Sequence, residues 1–349
     1  MIALATAPSP RAWLPIAPSP AAAPPSTRHH HNVELVTPDG IALSVYDSRP
    51  DTADHTVVYL HGLCLNRTSW TPHVNRLLSQ YWPSMRVISY DHRGHGSSAP
   101  APINTYTIDQ LADDLAYLLS ALRVRHRLTL VGHSMGGMAA LAYLSRPPSQ
   151  RPIDPCGLVL IATAAGKLSQ RGLGRLLSTP ATAALAHAAG RTPERVLRGL
   201  IKPLCATLSP IRHHLPAGTI ASVTLTALST TAPSTAIGYL PSLRTYDLSQ
   251  TLAAVRARTV IVSGGVDPFT PPQHARELAA AIPGATHLHI PTAGHMLPQQ
   301  APEAIHRAIT HASGLDTCPR TLGSPGAARR PAHVVSLVPA TAAPISSLS

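Results

Sequence analysis

Leu128 to Leu144, LTLVGHSMGGMAALAYL, constrains this chain more than any other stretch. Leu128, Leu130 and Val131 make a short apolar run with β-branched character, which reads as a strand. Gly132-His133-Ser134-Met135-Gly136 follows as G-x-S-x-G, with Gly137 behind it. Met138 to Leu144 is built of good helix formers and reads as a buried helix. A serine between two glycines at a strand-to-helix corner sits in a tight turn where a neighbouring Cβ would crowd it. The hydroxyl then stands at the top of a sheet, at a helix N-terminus whose dipole favours negative charge. That is the setting of a nucleophilic serine.

The chain has 349 residues, 44% of them hydrophobic and 13% charged. A usual globular protein is about a quarter charged. Length and apolar content suit one large α/β domain with an insertion and tails. The net charge is +12. Only Lys167 and Lys202 are lysines, and the arginines are scattered with no run of four. That pattern argues against nucleic-acid binding and leaves room only for weak association with an anionic lipid surface. Cys64, Cys156, Cys205 and Cys318 are far apart, form no C-x-x-C, and indicate no zinc site. Free thiols and a cytoplasmic location are the reading. No stretch reaches 18 apolar residues, so no membrane-spanning helix is expected. Residues 1–31 are rich in Ala, Pro and Ser, with Pro8, Pro10, Pro15 and Pro18 breaking any signal-like core, and read as a disordered leader. The run His29-His30-His31 within it is compositional, so no metal is expected.

From Asn32 the chain alternates. Asn32 to Val36 and Ile41 to Asp47 read as a hairpin around Thr37-Pro38-Asp39-Gly40. Thr56 to Leu60 is a buried strand that runs into His61-Gly62-Leu63-Cys64. A loop after a parallel strand is where α/β sheets place ligand-binding groups, and Gly62 allows close backbone approach. His61, Gly62 and His133 are therefore expected against substrate, with the Leu63 and Met135 N–H groups as oxyanion donors. Val74, Leu77, Leu78 and Tyr81 give Pro72 to Tyr81 a helical stripe. Arg86 to Tyr90 is a strand leading into Asp91 to Ser98, read as a structural loop that Asp91 and Arg93 hold. Thr107 caps a helix reaching Leu122, with Gln110 completing a capping box. Gly157 to Ala162 is a strand. Residues 163–248 then show helical patterns at Leu173 to Leu177, Ala181 to Ala189, Pro193 to Ile201 and Thr219 to Leu228, and read as a helical cap. His213-His214 within it point to different helix faces, do not readily chelate one metal, and read as surface or pocket-rim histidines. Residues 249–313 resume the α/β pattern, with Asp267 after the strand Arg258 to Val262 and His295 after the strand His287 to Ile290. Residues 314–349 are Ala/Pro/Ser/Gly-rich and read as a disordered tail.

Ser134, Asp267 and His295 thus each follow a strand. A serine hydroxyl needs a base, which His295 supplies, and an imidazole needs an orienting carboxylate, which Asp267 supplies. Together with His61-Gly62-Leu63, Asp91 to Ser97 and Gly294-His295, these motifs resemble the α/β-hydrolase fold superfamily over about residues 32–313. The resemblance implies an α/β fold with an eight-stranded, mostly parallel sheet, helices on both faces and a cap after strand six. It implies ester hydrolysis without a cofactor. The serine argues against the haloalkane dehalogenase and epoxide hydrolase branches, which use an aspartate there. Gln299-Gln300 depart from the acidic residue that such proteins often carry after the histidine loop.

The expected function is a serine carboxylester hydrolase acting on a small-molecule ester with an apolar small-to-medium acyl group. The apolar cap, poor in aromatics and carboxylates, favours this. Acyl transfer and perhydrolysis would use the same triad. A silent ligand-binding hydrolase fold is the non-enzymatic alternative.

Overall fold

The fold is that of a computed structural model, described for residues 31–50, 52–197, 199, 231–315 and 333–336. The leader up to residue 30, the helix expected at Thr219 to Leu228, His213-His214, Cys205 and Cys318 lie outside the described residues.

A single mixed sheet organises the chain. Its strands are β1 (His31–Val36), β2 (Ala42–Asp47), β3 (His55–Leu60), β4 (Met85–Tyr90), β5 (Arg127–His133), β6 (Gly157–Ile161), β7 (Arg258–Gly264), β8 (Thr286–Ile290) and β9 (His333–Ser336). The order is β1-β2-β4-β3-β5-β6-β7-β8-β9. The β1 and β2 pairings are antiparallel, and every other pairing is parallel. The eight expected strands are all present. β9 is an addition: four residues of the expected tail pair in parallel with the β8 edge. His31, expected in the leader, likewise pairs with Asp47.

Parallel central strands are covered on both faces, so their side chains are mostly apolar. β3 divides cleanly. Val58 and Leu60 join one core, and Val57 and Tyr59 the other. The first core is covered by α2 (Ile108–Ala121) and α3 (Met135–Ser145). The second is covered by α1 (Thr71–Tyr81) on the opposite face. Along α2 the stripe Leu111, Leu115, Leu118 and Leu119 is fully buried. The Thr107 hydroxyl caps α2 by accepting from the Gln110 N–H. The capping box is only half formed, because the Gln110 side chain turns forward to Asp114.

Between β6 and β7 the described residues hold helical turns and one isolated bridge, His95 to Thr231. The expected helix at Leu173 to Leu177 is a 3-10 helix, Gly172–Ser178. It is followed by α4 (Pro180–Ala189), a helical turn at 194–197, α5 (Pro233–Gly238) and α6 (Leu240–Thr245). The chain closes with α7 (Pro272–Ala281), the short α8 (Leu297–Gln300) and α9 (Pro302–Ser313). α7 adds to the first core, and α9 to the second. Among the described residues no helix is long and apolar enough to cross a membrane. Among the described residues neither Cys64, which is buried, nor Cys156, which is exposed, is in a disulfide.

Candidate active site

Ser134 sits between β5 and α3 with φ 52° and ψ −117°, a backbone conformation that L-residues rarely adopt. The turn is held by three bonds. The Ser134 N–H donates to Ile161 O at 2.9 Å, Thr163 Oγ1 donates to Ser134 O at 2.7 Å, and the Gly137 N–H donates to the same oxygen at 2.9 Å. Gly136 is obligatory on steric grounds, since a Cβ there would collide with the Leu60 carbonyl. A Cβ at Gly132 would stand 2.5 Å from the Gly137 backbone. The glycines on either side of the serine therefore let the corner close.

The loops after β7 and β8 bring two partners to this serine. His295 Nε2 lies 3.1 Å from Ser134 Oγ. His295 Nδ1 lies 2.8 Å from Asp267 Oδ2 and 3.0 Å from Oδ1. Asp267 is buried, and it accepts from the Phe269 and Thr270 N–H groups at 2.8 and 3.0 Å and from Thr270 Oγ1 at 2.7 Å. Burial pushes its carboxyl upward, but the His295 ring and the Thr270 donors outweigh burial and hold it below the usual carboxylate range. An ionised carboxylate facing Nδ1 fixes the tautomer with the proton on Nδ1 and leaves Nε2 able to accept. Three loops far apart in sequence therefore form one hydrogen-bonded chain at the C-terminal edge of the sheet.

The His61-Gly62-Leu63-Cys64 loop crosses in front of the elbow. A Cβ on Gly62 would lie 3.3 Å from Ser134 Cβ and 3.1 Å from His133 Nδ1, so the loop backbone runs directly against the serine. Among the described residues the Leu63 and Met135 N–H groups donate to no backbone acceptor. At Met135 this follows from its place in the first turn of α3, whose N–H groups have no intrahelical partner.

His61 and His133, expected against substrate, stand behind the site instead. Both are buried, at 0% and 1% exposure. The His61 ring is committed to Gly62 O and the His92 N–H, and the His133 ring to His295 O. A side chain at the end of a fully buried strand points into the sheet's core layers, not into the cleft above it. The Gly62 backbone runs beside the serine. The Asp91 loop is structural, as expected. Asp91 accepts from the Arg67 and Ser97 N–H groups, and buried Arg93 is gripped by Asp114 and Asp39.

Thr163 and Thr270 lay unread in the sequence, and Gln300 was read only as a departure from the resemblance. Thr270 had a signal, because Asp-x-x-Thr spacing is that of a side chain closing its own turn. Gln300 Oε1 accepts from the Gly294 N–H at 2.8 Å, so the amide pins the histidine loop where the resemblance led one to look for an acid.

Comparison with known proteins identifies the family. A family model described as "Alpha/beta hydrolase family" matches residues 57–308, most of the chain. The chain belongs to the alpha/beta hydrolase family. Within it, the Caulobacter sp. (strain K31) protein provisionally named as the carbamate hydrolase RutD is 27% identical over 290 residues, covering 78% of this chain and 95% of that protein. The 3-oxoadipate enol-lactonase 1 of Acinetobacter baylyi is 26% identical over 241 residues, 69% of this chain and 81% of the lactonase. Among solved structures, a thermophilic esterase from Thermogutta terrifontis superposes with a TM-score of 0.60 at 27% identity, covering 80% of this chain and 97% of the esterase.

Proposed function

We propose that this protein is a serine hydrolase that cleaves a carboxylic ester through an acyl-enzyme. The reading is carried by one observation, the continuous chain from Ser134 Oγ through the His295 imidazole to the Asp267 carboxylate, with links of 3.1 and 2.8 Å.

In this scheme His295 Nε2 takes the Ser134 proton as Oγ bonds to the acyl carbon. The carbonyl oxygen becomes an oxyanion facing the Leu63 and Met135 N–H groups. Such donors are worth about 2.7–4 kcal/mol each where one has been removed by mutation. The ester C–O bond then breaks, and the departing alkoxide takes the proton from His295. Water enters, His295 removes its proton, and attack on the acyl carbon releases the carboxylic acid and restores Ser134. Asp267 stays ionised throughout and steadies the imidazolium. Atoms and charge balance with ester and water alone.

Relatives named for ester and lactone cleavage support the reaction class. The apolar insertion between β6 and β7, taken as a cap over the cleft, supports a small-to-medium apolar acyl group.

A fluorophosphonate probe tests the reading directly. The folded protein is expected to label on Ser134 and to lose the label in Ser134→Ala. Turnover of a p-nitrophenyl ester is expected to fall at least about a hundredfold in the same variant, and in His295→Ala and Asp267→Asn. A well-folded protein that neither labels nor turns over would instead be a ligand-binding member of the family.

A further inference from the structure

We propose that His61 and His95 are positioning residues that clamp the two peptide planes flanking Leu63 and so aim the Leu63 N–H at the oxyanion. The proposal rests on the reading of Ser134 as nucleophile and Leu63 as oxyanion donor.

The argument is one of bond directions. The Leu63 N–H shares a peptide plane with the Gly62 carbonyl. That carbonyl accepts from His61 Nδ1 at 2.8 Å and from the Leu65 N–H at 3.1 Å. A trans peptide points its N–H opposite to its C=O, so holding the carbonyl on one side directs the Leu63 N–H to the other. The next plane is fixed by its own N–H. Cys64 N donates to His95 Nε2 at 3.1 Å. Leu63 is thus held on both sides by buried imidazoles, while its own N–H donates to no backbone acceptor among the described residues. Cys64 has φ 61°, so this short loop is held in a shape that a free chain would not favour.

Each ring has its proton placed by a second bond. His61 Nε2 accepts from the His92 N–H at 3.0 Å, so its proton is on Nδ1, the atom facing Gly62 O. His95 accepts from Cys64 at Nε2, so its proton is on Nδ1, facing Arg93 O at 3.1 Å. His92 in turn places Nε2 at 3.1 Å from His61 O, which makes the His61–His92 contact reciprocal. Burial lowers His61 to about 4 and His95 to about 3. Both therefore stay neutral near pH 7, and neither proton changes place. The His95 backbone also bridges Thr231, which ties the clamp to the insertion.

The two rings act through different nitrogens, and this gives a crossed test. An asparagine amide reaches roughly where Nδ1 lies, and a glutamine amide roughly where Nε2 lies. His61→Asn keeps the donor to Gly62 O, while His61→Gln loses it. His95→Gln keeps the acceptor for Cys64 N, while His95→Asn loses it. With p-nitrophenyl butyrate, His61→Gln and His95→Asn are expected to lower kcat by about tenfold to a hundredfold with KM within about twofold, since aim at the oxyanion is felt in the transition state. His61→Asn and His95→Gln are expected to recover most of that loss. The Ki of an alkyl trifluoromethyl ketone, which forms an oxyanion on the serine, should rise in step with the fall in kcat/KM. Thermal unfolding of all four variants separates misfolding from misalignment. If Asn and Gln behave alike at both positions, or if KM alone moves, the clamp is wrong. Should Ser134→Ala retain the butyrate activity, the underlying reading of the nucleophile fails first.

Discussion

α3 and α4 contain the same four residues in a row, Ala-Ala-Leu-Ala, at 139–142 and at 183–186. Leu141 in α3 is 1% exposed, and Leu185 in α4 is 47% exposed. Nine of the eleven α3 residues, Met135 to Tyr143, are buried, whereas Ala189 is the buried residue of α4. Both segments are helical because alanine and leucine favour helix anywhere. What differs is the neighbour. α3 is the crossover between β5 and β6 and lies on the sheet beneath Ser134. α4 belongs to the insertion, where Thr179 caps its start and Ala186 packs into a small satellite cluster with Ala189, Leu197 and Ile237. The helix behind Ser134 is buried along almost its whole length, whereas the helix of the insertion rests on the neighbouring 3-10 helix, α5 and α6 with most of its residues exposed.

The largest expected effect concerns the histidines that this packed side traps. His133, at the root of α3, is pushed down to about 3, and His61, His95, His274, His287 and His306 lie at about 3 to 4, chiefly through burial. A depressed folded pKa means that the unfolded chain binds protons first as the pH drops. Stability is therefore complete above about pH 6.5 and is lost as the pH falls toward 4 to 3, by up to about 1.4 kcal/mol per ring per pH unit. Urea midpoints measured from pH 7 to 4 should fall steeply through this window. A flat curve would show that these rings are not held neutral, and the contrast in burial would lose its meaning.

Next in size, Leu141→Ala should cost about 2–5 kcal/mol by urea unfolding, the usual range for a truncated buried leucine. Leu185→Ala should stay within about 0.5 kcal/mol, as a surface substitution does. Equal costs at the two positions would mean that α4 is covered in solution and that the comparison describes one environment instead of two.

Much of this was legible in the chain itself. The elbow could be read because a serine flanked by glycines at a strand-to-helix corner leaves few conformations open. Thr107 could be read as a cap because its hydroxyl acts over three residues. The positions of Asp267 and His295 could be read because each ends an apolar run. His61 and His133 were misplaced by the same local logic. They adjoin site residues in sequence, but which side of the sheet edge a ring falls on depends on the strands packed around it. β9 was missed because His333 to Ser336 is too short to show a period, and only the free edge of β8 gives it a partner.

By itself, then, the sequence determined what short-range sterics and patterning can dictate: the order of strands and helices, the strained turn at Ser134, and the three post-strand loops on which Ser134, Asp267 and His295 stand. Tertiary structure alone decided the 3.1 Å approach of His295 to Ser134, the grip of Gln300 on Gly294, and the different fates of two identical Ala-Ala-Leu-Ala runs. The reason is physical. Burial and hydrogen-bond partnership are properties of pairs of segments distant along the chain, and no window of neighbouring residues contains both members.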